Sequence, residues 1–410
     1  RVALQAAAVL GSTSPPELVR YLVGEEADLT RLVGEGFLEA DEHGQLRFAI
    51  PWLREATLGQ VGGQQVQNWH QQAARWYQRQ GRLAEAATHL EAAGDTINAY
   101  RMWRLAAQQA WNEEGYSGAI LGYLEALRLA EGNMRWQAAL EAAEAHLALG
   151  RYQEARELAS LPLEAPQLPE GLRQKAWAIR YEASLALGQA DWMEPPAQSE
   201  IVEPRLALAL ARTLPVGEAS RLLEGLPAYL EGSARLVRAR AWLRSGQVER
   251  AQAESEAYLS EHGHRPAECF EARQILSEAL WRQFRLSDAI RALGQTPGDV
   301  LPAWFSSLYN GSLAALRMDM GQFEVAAAML EESLLLLEGA PPGVIEQVSR
   351  VRLRFLIESG QLDDALYFGE SAVARVPSPS LLSHLALGYA LAPGQRNWLM
   401  LQRLVRGLEG

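Results

Sequence analysis

A short turn motif recurs along most of this 410-residue chain. Each copy has a glycine, a short polar and apolar step, and an alanine five residues after the glycine; the regular copies begin at Gly81, Gly150, Gly246, Gly321 and Gly360. Glycine readily takes the left-handed conformation that ends a helix. The alanine lies one turn into the next helix, where its small side chain lets two helices approach closely. Such a motif at a near-constant interval predicts an all-α solenoid of stacked helical hairpins.

The spacing of the motif alanines indicates how many hairpins there are. Successive alanines are separated by 33, 36, 64, 32, 38, 37 and 39 residues, in the series Ala86, Ala119, Ala155, Ala219, Ala251, Ala289, Ala326 and Ala365. The interval of 64 residues corresponds to two units, with a degenerate copy at Gly188. We therefore expect residues 64–410 to form about nine helical pairs with a C-terminal cap near 380–408.

Three copies depart from the motif. Phe284 replaces the turn glycine, Gly115 is shifted by one residue, and Pro215 interrupts a third copy. Loops are predicted where prolines cluster, at 161–170 and 192–204. We expect the solenoid to be least regular near residues 190–230.

Residues 1–63 do not follow the repeat. Three helices are predicted there, followed by two short alternating strands, 37–40 and 45–48, around a turn. Ser14 precedes two prolines and Glu17, which is the pattern of a helix N-terminus, so we expect Ser14 to cap the second helix. Three helices and a hairpin form a winged-helix arrangement.

The charge of this N-terminal module disfavours contact with DNA. The helix that would read bases carries Glu26, Asp28 and Glu35, and the hairpin tip carries Asp41 and Glu42. Such a face would repel phosphate, and the whole chain has a net charge of -12. We expect a structural or interdomain role for the module and no direct binding of nucleic acid.

The rare residue types exclude several kinds of site. Lys175 is the only lysine and is not followed by serine or threonine, so the chain has no phosphate-binding P-loop. Cys269 is the only cysteine, which excludes an internal disulfide and a multi-cysteine zinc site. No window is apolar enough for a membrane span. We expect a cytoplasmic protein that has no cofactor.

A search for catalytic residues finds no convergent set, so we expect no enzymatic activity. His262 and His264 flank a glycine without a nearby third ligand, and we expect them to be solvated rather than metal-bound. His89 lies in an apolar helical stretch and is expected to pack rather than to act as a base.

The turn motif also sets a register for the concave face, which the first helix of each pair lines in such repeats. Counting back from each turn gives these candidate ligand-binding residues: Arg75, Gln78, Arg101, Arg104, Gln108, Trp111, Arg240, Arg244, Trp281, Arg282, Arg350 and Arg354. Guanidinium groups bind carboxylates, and tryptophan rings stack on flat groups or sugars. The face therefore suits an acidic peptide, an anionic ligand or an acidic segment of a partner. Alternatively, the arginines pair with carboxylates on neighbouring helices.

Two resemblances follow from these residues. The period and the glycine and alanine pattern resemble the tetratricopeptide repeat (TPR), which implies a right-handed superhelix. Residues 29–39, 46–48 and 52–56 resemble the winged helix that follows the ATPase core of signal-transduction (STAND) ATPases, and 86–95 resembles the start of the helical array in relatives of the maltose-regulon activator.

This resemblance implies the sensor half of a bacterial transcriptional regulator, which binds a partner protein, a peptide or a small inducer. Because the first residue is Arg1, we expect the chain to be part of a longer or processed protein, with ATPase and DNA-binding domains elsewhere. The alternative is a free-standing TPR scaffold that assembles other proteins and has no link to transcription.

Overall fold

The computed structural model describes residues 1–113, 115–188, 204–261, 265–298, 300–392, 394 and 400. The described chain is helical apart from three short strands, as the turn motif predicts. It forms two compact units, Arg1–Ala142 and Ala143–Gly410, and the division falls within one helix, Gly132–Ala148.

The first unit consists of helices and one small sheet. Its helices are α1 (Val2–Leu10), α2 (Pro16–Val23), α3 (Leu29–Gly34), α4 (Pro51–Leu58), α5 (Gly63–Arg79), α6 (Leu83–Ala92), α7 (Thr96–Asn112), α8 (Tyr116–Leu129) and the start of α9 (Gly132–Ala148). Its strands are β1 (Thr13–Ser14), β2 (Leu38–Ala40) and β3 (Leu46–Phe48).

The sheet has one strand more than the predicted hairpin. β3 is central and pairs antiparallel with both β1 and β2. Ser14 pairs with Leu46 in this sheet and is buried, so the prediction that Ser14 caps the second helix is wrong. Pro15 occupies the N-cap position of α2 without a side-chain hydrogen bond. The extended backbone that places Ser14 in the strand removes its hydroxyl from the helix end.

The N-terminal helices share a hydrophobic core with the first helical hairpin. The apolar run Ala6–Leu10 of α1 is buried with Leu18 of α2 and Leu38 of β2. Trp69 and Tyr77 of α5 belong to the same cluster. α1 ends before Gly11. Burial of these side chains in one cluster stabilises residues 1–92 as a single packed body.

The described part of the second unit is built of helices. Its helices are the end of α9, α10 (Tyr152–Leu163), α11 (Glu170–Ala186), α12 (Pro204–Ala211), α13 (Val216–Leu223), α14 (Glu231–Arg244), α15 (Val248–Glu261), α16 (Pro266–Arg282), α17 (Leu286–Leu293), α18 (Ala303–Asp319), α19 (Phe323–Leu335), α20 (Pro342–Glu358), α21 (Leu362–Arg375) and α22 (Pro379–Leu391). A 3-10 turn, Ala228–Leu230, precedes α14.

Some predicted boundaries need correction. The loop expected at 161–170 begins later, because α10 runs to Leu163 and contains Pro162. Most of the loop expected at 192–204 lies outside the described residues, as does the end of the predicted C-terminal cap. α12 and α13 are only 8 residues long each, against 14 to 17 residues in α14, α16, α18 and α20.

The turn motif itself has the predicted geometry. The five motif glycines have φ between 69° and 79°. After α5, the Gly81 and Arg82 amides donate to the carbonyls of Gln78 and Tyr77, which closes the helix end. The motif alanines, Ala86, Ala155, Ala251, Ala326 and Ala365, are fully buried. The small side chain is therefore needed for helix packing, as the sequence indicates.

Within the second unit, repeats that are far apart in sequence meet. The ring of Phe305 on α18 lies against Gly150, and the rings of Tyr152 and Trp304 are 5.9 Å apart. A Cβ on Gly188 would lie 3.7 Å from Pro342. The turns near α10 and α11 therefore contact α18 and α20 within this unit.

Candidate functional site

Four predicted residues come together in one cavity of the second unit, which we call the rim cavity. Trp281 and Arg282 reach it from α16, and Arg350 and Arg354 reach it from α20. The cavity has a volume of about 570 Å³ and is also lined by α18 and by His384 of α22. Arg350 and Arg354 are four residues apart, so they lie on one face of their helix.

Two of these arginines hold carboxylates. Arg354 donates to Asp319 at 2.5 Å and to Glu358 at 2.7 Å. Burial alone would lower the pKa of Arg354, but the hydrogen bonds to Asp319 and Glu358 raise it. Arg282 donates to Glu278 at 2.6 Å, and the Trp281 indole donates to Asp319 at 2.5 Å. These contacts fix the ring and both guanidinium groups.

Arg350 differs from its neighbours. Its nearest polar partner is the Ser380 hydroxyl, at 3.4 Å. Among the described residues, Arg350 has no carboxylate within ion-pair distance, and its side chain is exposed. This guanidinium is therefore available to an incoming anionic group.

Phe284 stands beside the rim cavity in an unusual conformation. Within the described chain it is the one non-glycine residue with positive φ, at 59°, and it is 91% exposed. Its amide donates to the Trp281 carbonyl and the Arg285 amide donates to Leu280, the same pattern as at Gly81. The left-handed conformation costs a non-glycine residue roughly 1–2 kcal/mol. The chain thus carries a large exposed ring where glycine would be more stable.

Arg240 lines a second cavity, which we call the inner cavity. It has a volume of about 300 Å³ and four arginines in its wall, Arg205, Arg212, Arg240 and Arg265, with four glutamates, Glu144, Glu182, Glu268 and Glu271. An adjoining space of about 260 Å³ shares Tyr152, Arg212, Arg240 and Glu271 with the inner cavity, and shares Gln274, Glu278 and Gln347 with the rim cavity. The cavities therefore form one continuous groove.

The remaining predicted residues lie elsewhere. Arg244 donates to the Leu214 carbonyl at 3.3 Å and does not line either cavity. The other six lie in the first unit, on α5 and α7: Arg75, Gln78, Arg101, Arg104, Gln108 and Trp111.

In the first unit, Arg104 forms a two-point ion pair with Glu141. Trp111 packs edge-on against Tyr116, with ring centroids 5.0 Å apart. The sequence left open that the arginines pair with nearby carboxylates instead of binding a ligand. Such ion pairs are present for four of the predicted residues: Arg104, Arg240, Arg282 and Arg354.

Several groove residues were not predicted as site residues. Phe284 was visible in the sequence as a residue that replaces a turn glycine, but its exposure was not. Arg212 and Tyr152 carry no sequence signal, because Arg212 lies just before the copy that Pro215 interrupts and Tyr152 lies just after a turn glycine. Their place in the groove depends on contacts within the second unit between residues that are distant in sequence.

Histidines in the described chain do not form a metal site. No group of three or more metal-binding side chains occurs among the described residues, and His262 and His264 lie outside them. His89 is buried and stacks on Tyr77 at 5.4 Å. Its Nδ1 lies 2.9 Å from Nδ1 of His70. In this environment His89 packs, and burial lowers its pKa to about 4.

Comparisons with known proteins define the fold. No protein-family model matches the sequence, and no curated protein matches it. A solved STAND protein with a tetratricopeptide repeat sensor, from Pyrococcus horikoshii, is similar over 99% of this chain, with a TM-score of 0.50 and 12% identity. The chain spans 62% of the length of that protein. A human IFIT1 dimer with PPP-AAAA is similar over 83% of this chain and 90% of its own, with a TM-score of 0.45 and 15% identity.

The similarity to the Pyrococcus protein shows that the chain has a TPR-like helical solenoid fold. No helix in the described part of the chain is long and apolar enough to cross a membrane.

Proposed function

We propose that this chain is a non-catalytic protein-interaction module whose rim cavity binds an acidic peptide segment of a partner protein. Phe284 carries the proposal, because its ring is 91% exposed and its backbone is in a conformation that costs stability. Residues kept against stability are concentrated at functional sites. Aromatic side chains and arginine are enriched at protein interfaces, and tryptophan and arginine are frequent hot spots.

The chemistry of the rim cavity supports an acidic partner. Arg350 has no carboxylate partner among the described residues and lies in the same cavity as Trp281. A carboxylate of the partner would form the charged hydrogen bonds that Arg350 lacks. An apolar side chain next to that carboxylate would pack on the rings of Phe284 and Trp281. The proposed ligand is therefore a peptide with an acidic residue close to a large apolar one.

We further propose that the chain is the sensor part of a STAND-type transcriptional regulator. The similar solved structure is described as a STAND protein with a TPR sensor, and the chain spans only part of it. The element order α1, β1, α2, α3, β2, β3 supports a winged-helix module in residues 1–63, followed by the solenoid in 64–410. Arg31 pairs with Glu35 and Arg47 pairs with Glu39 on this module, so neither guanidinium is free for phosphate.

A free-standing scaffold is the second candidate. The continuous groove from the inner cavity to the rim cavity would serve a scaffold equally well, because peptide binding does not require an ATPase. The coding sequence upstream of Arg1 separates the two proposals: a Gly-Lys-Ser/Thr loop about 250 residues upstream, within the length of an ATPase domain, supports the regulator.

Selection of peptides from a random displayed library on the purified chain tests the binding site. We expect selected peptides to combine Asp or Glu with a large apolar residue and to bind the Phe284→Ala variant about tenfold or more weakly. Tyr367→Ala is the matched control, because Tyr367 is an 82% exposed ring on α21 outside the rim cavity. Equal affinity for wild type and Phe284→Ala would contradict the proposal.

A further inference from the structure

The charged side chains of the inner cavity form two sets, which differ in the distances between their paired ions. One set is tightly paired: Arg205 donates to Glu144 at 2.7 Å, and Arg265 donates to Glu268 at 2.9 Å. Burial alone would raise the pKa of Glu144, but Arg205 and the nearby lysine lower it. These pairs have the short distances of good charged hydrogen bonds and serve as fixed walls.

The other set is loosely paired. Arg212 lies 3.3 Å from Glu271 and 3.4 Å from Glu182, and Arg240 lies 3.7 Å from Glu271. Charged hydrogen bonds in proteins are usually about 2.7–2.9 Å long, so these groups are separated by more than their ideal distance. Arg240 is also 4.0 Å from Glu278, but Glu278 is already held by Arg282 at 2.6 Å and so belongs to the tightly paired side chains. Among the described residues, Glu182 has no other ion-pair partner, although its side chain is only 12% exposed.

Arg212 also has an unused donor. Its Nε is buried and has no hydrogen-bond partner among the described residues. A buried donor without a partner costs roughly 1–3 kcal/mol. Burial alone would lower the pKa of Arg212, but Glu271 and Glu182 raise it, so the guanidinium stays charged in the cavity.

The neighbouring wall is apolar. The adjoining space is lined by Phe270, Trp304 and Phe305, whose rings pack together with centroids 3.8 Å apart for Trp304 and Phe305 and 5.1 Å apart for Phe270 and Phe305. Tyr152 lies between the charged and apolar parts, because it lines both spaces. The two volumes together are in the range of small-molecule sites, about 300–1,000 Å³.

We propose that the inner cavity binds a free α-amino acid with an apolar side chain. The carboxylate would accept from Arg212 and Arg240, the ammonium would donate to Glu182 and Glu271, and the side chain would lie against the Phe270 and Trp304 rings. Two cations and two anions in the loose set favour a ligand with one charge of each sign. A simple anion would satisfy Arg212 but would lie beside two carboxylates, which repel it. This inference does not depend on the partner proposed for the rim cavity.

Thermal unfolding of the full chain with each of the twenty amino acids at 10 mM tests the proposal. We expect apolar amino acids such as L-phenylalanine or L-leucine to raise the Tm and to bind in calorimetry. Two analogues isolate the charges: 3-phenylpropionate lacks the ammonium group, and 2-phenylethylamine lacks the carboxylate. We expect each analogue to bind at least tenfold more weakly than L-phenylalanine.

Variants locate the site. Glu182→Gln keeps the size of the side chain and should weaken amino-acid binding about tenfold or more. Glu170→Gln is the control, since Glu170 is 70% exposed and lies outside the cavity. Phe284→Gly should leave amino-acid binding unchanged. The amino-acid proposal can therefore fail or succeed independently of the peptide proposal for the rim cavity. The proposal is overturned if no amino acid binds, if 3-phenylpropionate binds as well as L-phenylalanine, or if Glu182→Gln binds normally.

Discussion

The ring of Phe305 fills the space above Gly150. A Cβ at position 150 would overlap the Cε2 and Cζ atoms of Phe305. The ring cannot easily move, because it is 3% exposed and packs between Trp304 and Phe270. The turn before α10 is thereby joined to α18.

The contact predicts a large cost for Gly150→Ala. The substitution has two penalties, the left-handed backbone at φ 69° and the overlap with the Phe305 ring. We expect it to lower the free energy of unfolding by about 3 kcal/mol or more. Gly246→Ala is the matched control, because Gly246 has φ 79° and no atom within 4 Å of its Cβ position. Denaturant unfolding measures the difference, and equal losses in the two variants would contradict the contact.

Phe284 predicts a gain in stability on substitution by glycine. Phe284→Gly removes the left-handed penalty and should raise the free energy of unfolding by about 1 kcal/mol. Phe284→Ala also removes the exposed ring but keeps the backbone penalty, so it should be no more stable than wild type. If glycine and alanine variants unfold at the same temperature, the backbone at position 284 is not strained.

Substitution by alanine at two glycines of α8, Gly118 and Gly122, should change stability in opposite directions. A Cβ on Gly122 would lie 2.9 Å from Cβ of Ala107 and 3.0 Å from the Trp103 carbonyl oxygen, so α7 and α8 would have to separate. A Cβ on Gly118 would make an ordinary contact, 3.7 Å from Ala110. We expect Gly122→Ala to destabilise by about 1–3 kcal/mol and Gly118→Ala to stabilise by up to about 1 kcal/mol. Stabilisation by both substitutions would show that the two helices are not in close contact at Gly122.

The buried histidines predict acid sensitivity of the first unit. His89 has a pKa of about 4, which burial lowers from 6.5, and burial also lowers the pKa of His70. A lowered pKa means that the folded state binds fewer protons than the unfolded state. The free energy of unfolding therefore contains the full contribution of neutral His89 above pH 6.5. This contribution is lost as pH falls toward 4, and the loss is on the order of 3 kcal/mol.

Hydrogen–deuterium exchange of α5 and α6 between pH 7 and pH 5, corrected for intrinsic exchange rates, measures the part of this loss that falls above pH 5. His89→Gln should reduce the pH dependence, whereas His43→Gln should not, because the His43 side chain is 78% exposed. An unchanged pH dependence in His89→Gln would contradict the assignment.

Local features of the fold could be predicted from the sequence. Each turn glycine specifies a helix end and each motif alanine specifies a close helix contact, so both are encoded within a few residues. The cap of α7 is equally local, because the Asp95 carboxylate accepts from the Asn98 amide three residues on. The counted register predicted Trp281, Arg282, Arg350 and Arg354 for the concave face, because a regular hairpin repeats the same face. That these four line one cavity is seen only in the structure.

Features that depend on distant contacts could not be predicted. The inner cavity forms where α9 and α11 meet α12 and α16, and Arg212 lies where the motif is interrupted. No local pattern reports that Phe305 would lie against Gly150. The role of Ser14 was predicted wrongly because its strand partner, Leu46, is 32 residues away in the sequence. That distant pairing overrides the local pattern of a helix cap.

Binding of one selected acidic peptide to three proteins tests the central claim, that the ring of Phe284 anchors a partner in the rim cavity. Calorimetry would compare wild type, Phe284→Gly and Phe284→Ala, with the stability of each measured alongside. The account predicts that both variants lose affinity equally, by about tenfold or more, although the glycine variant is the more stable. Wild-type affinity in the more stable glycine variant would contradict it.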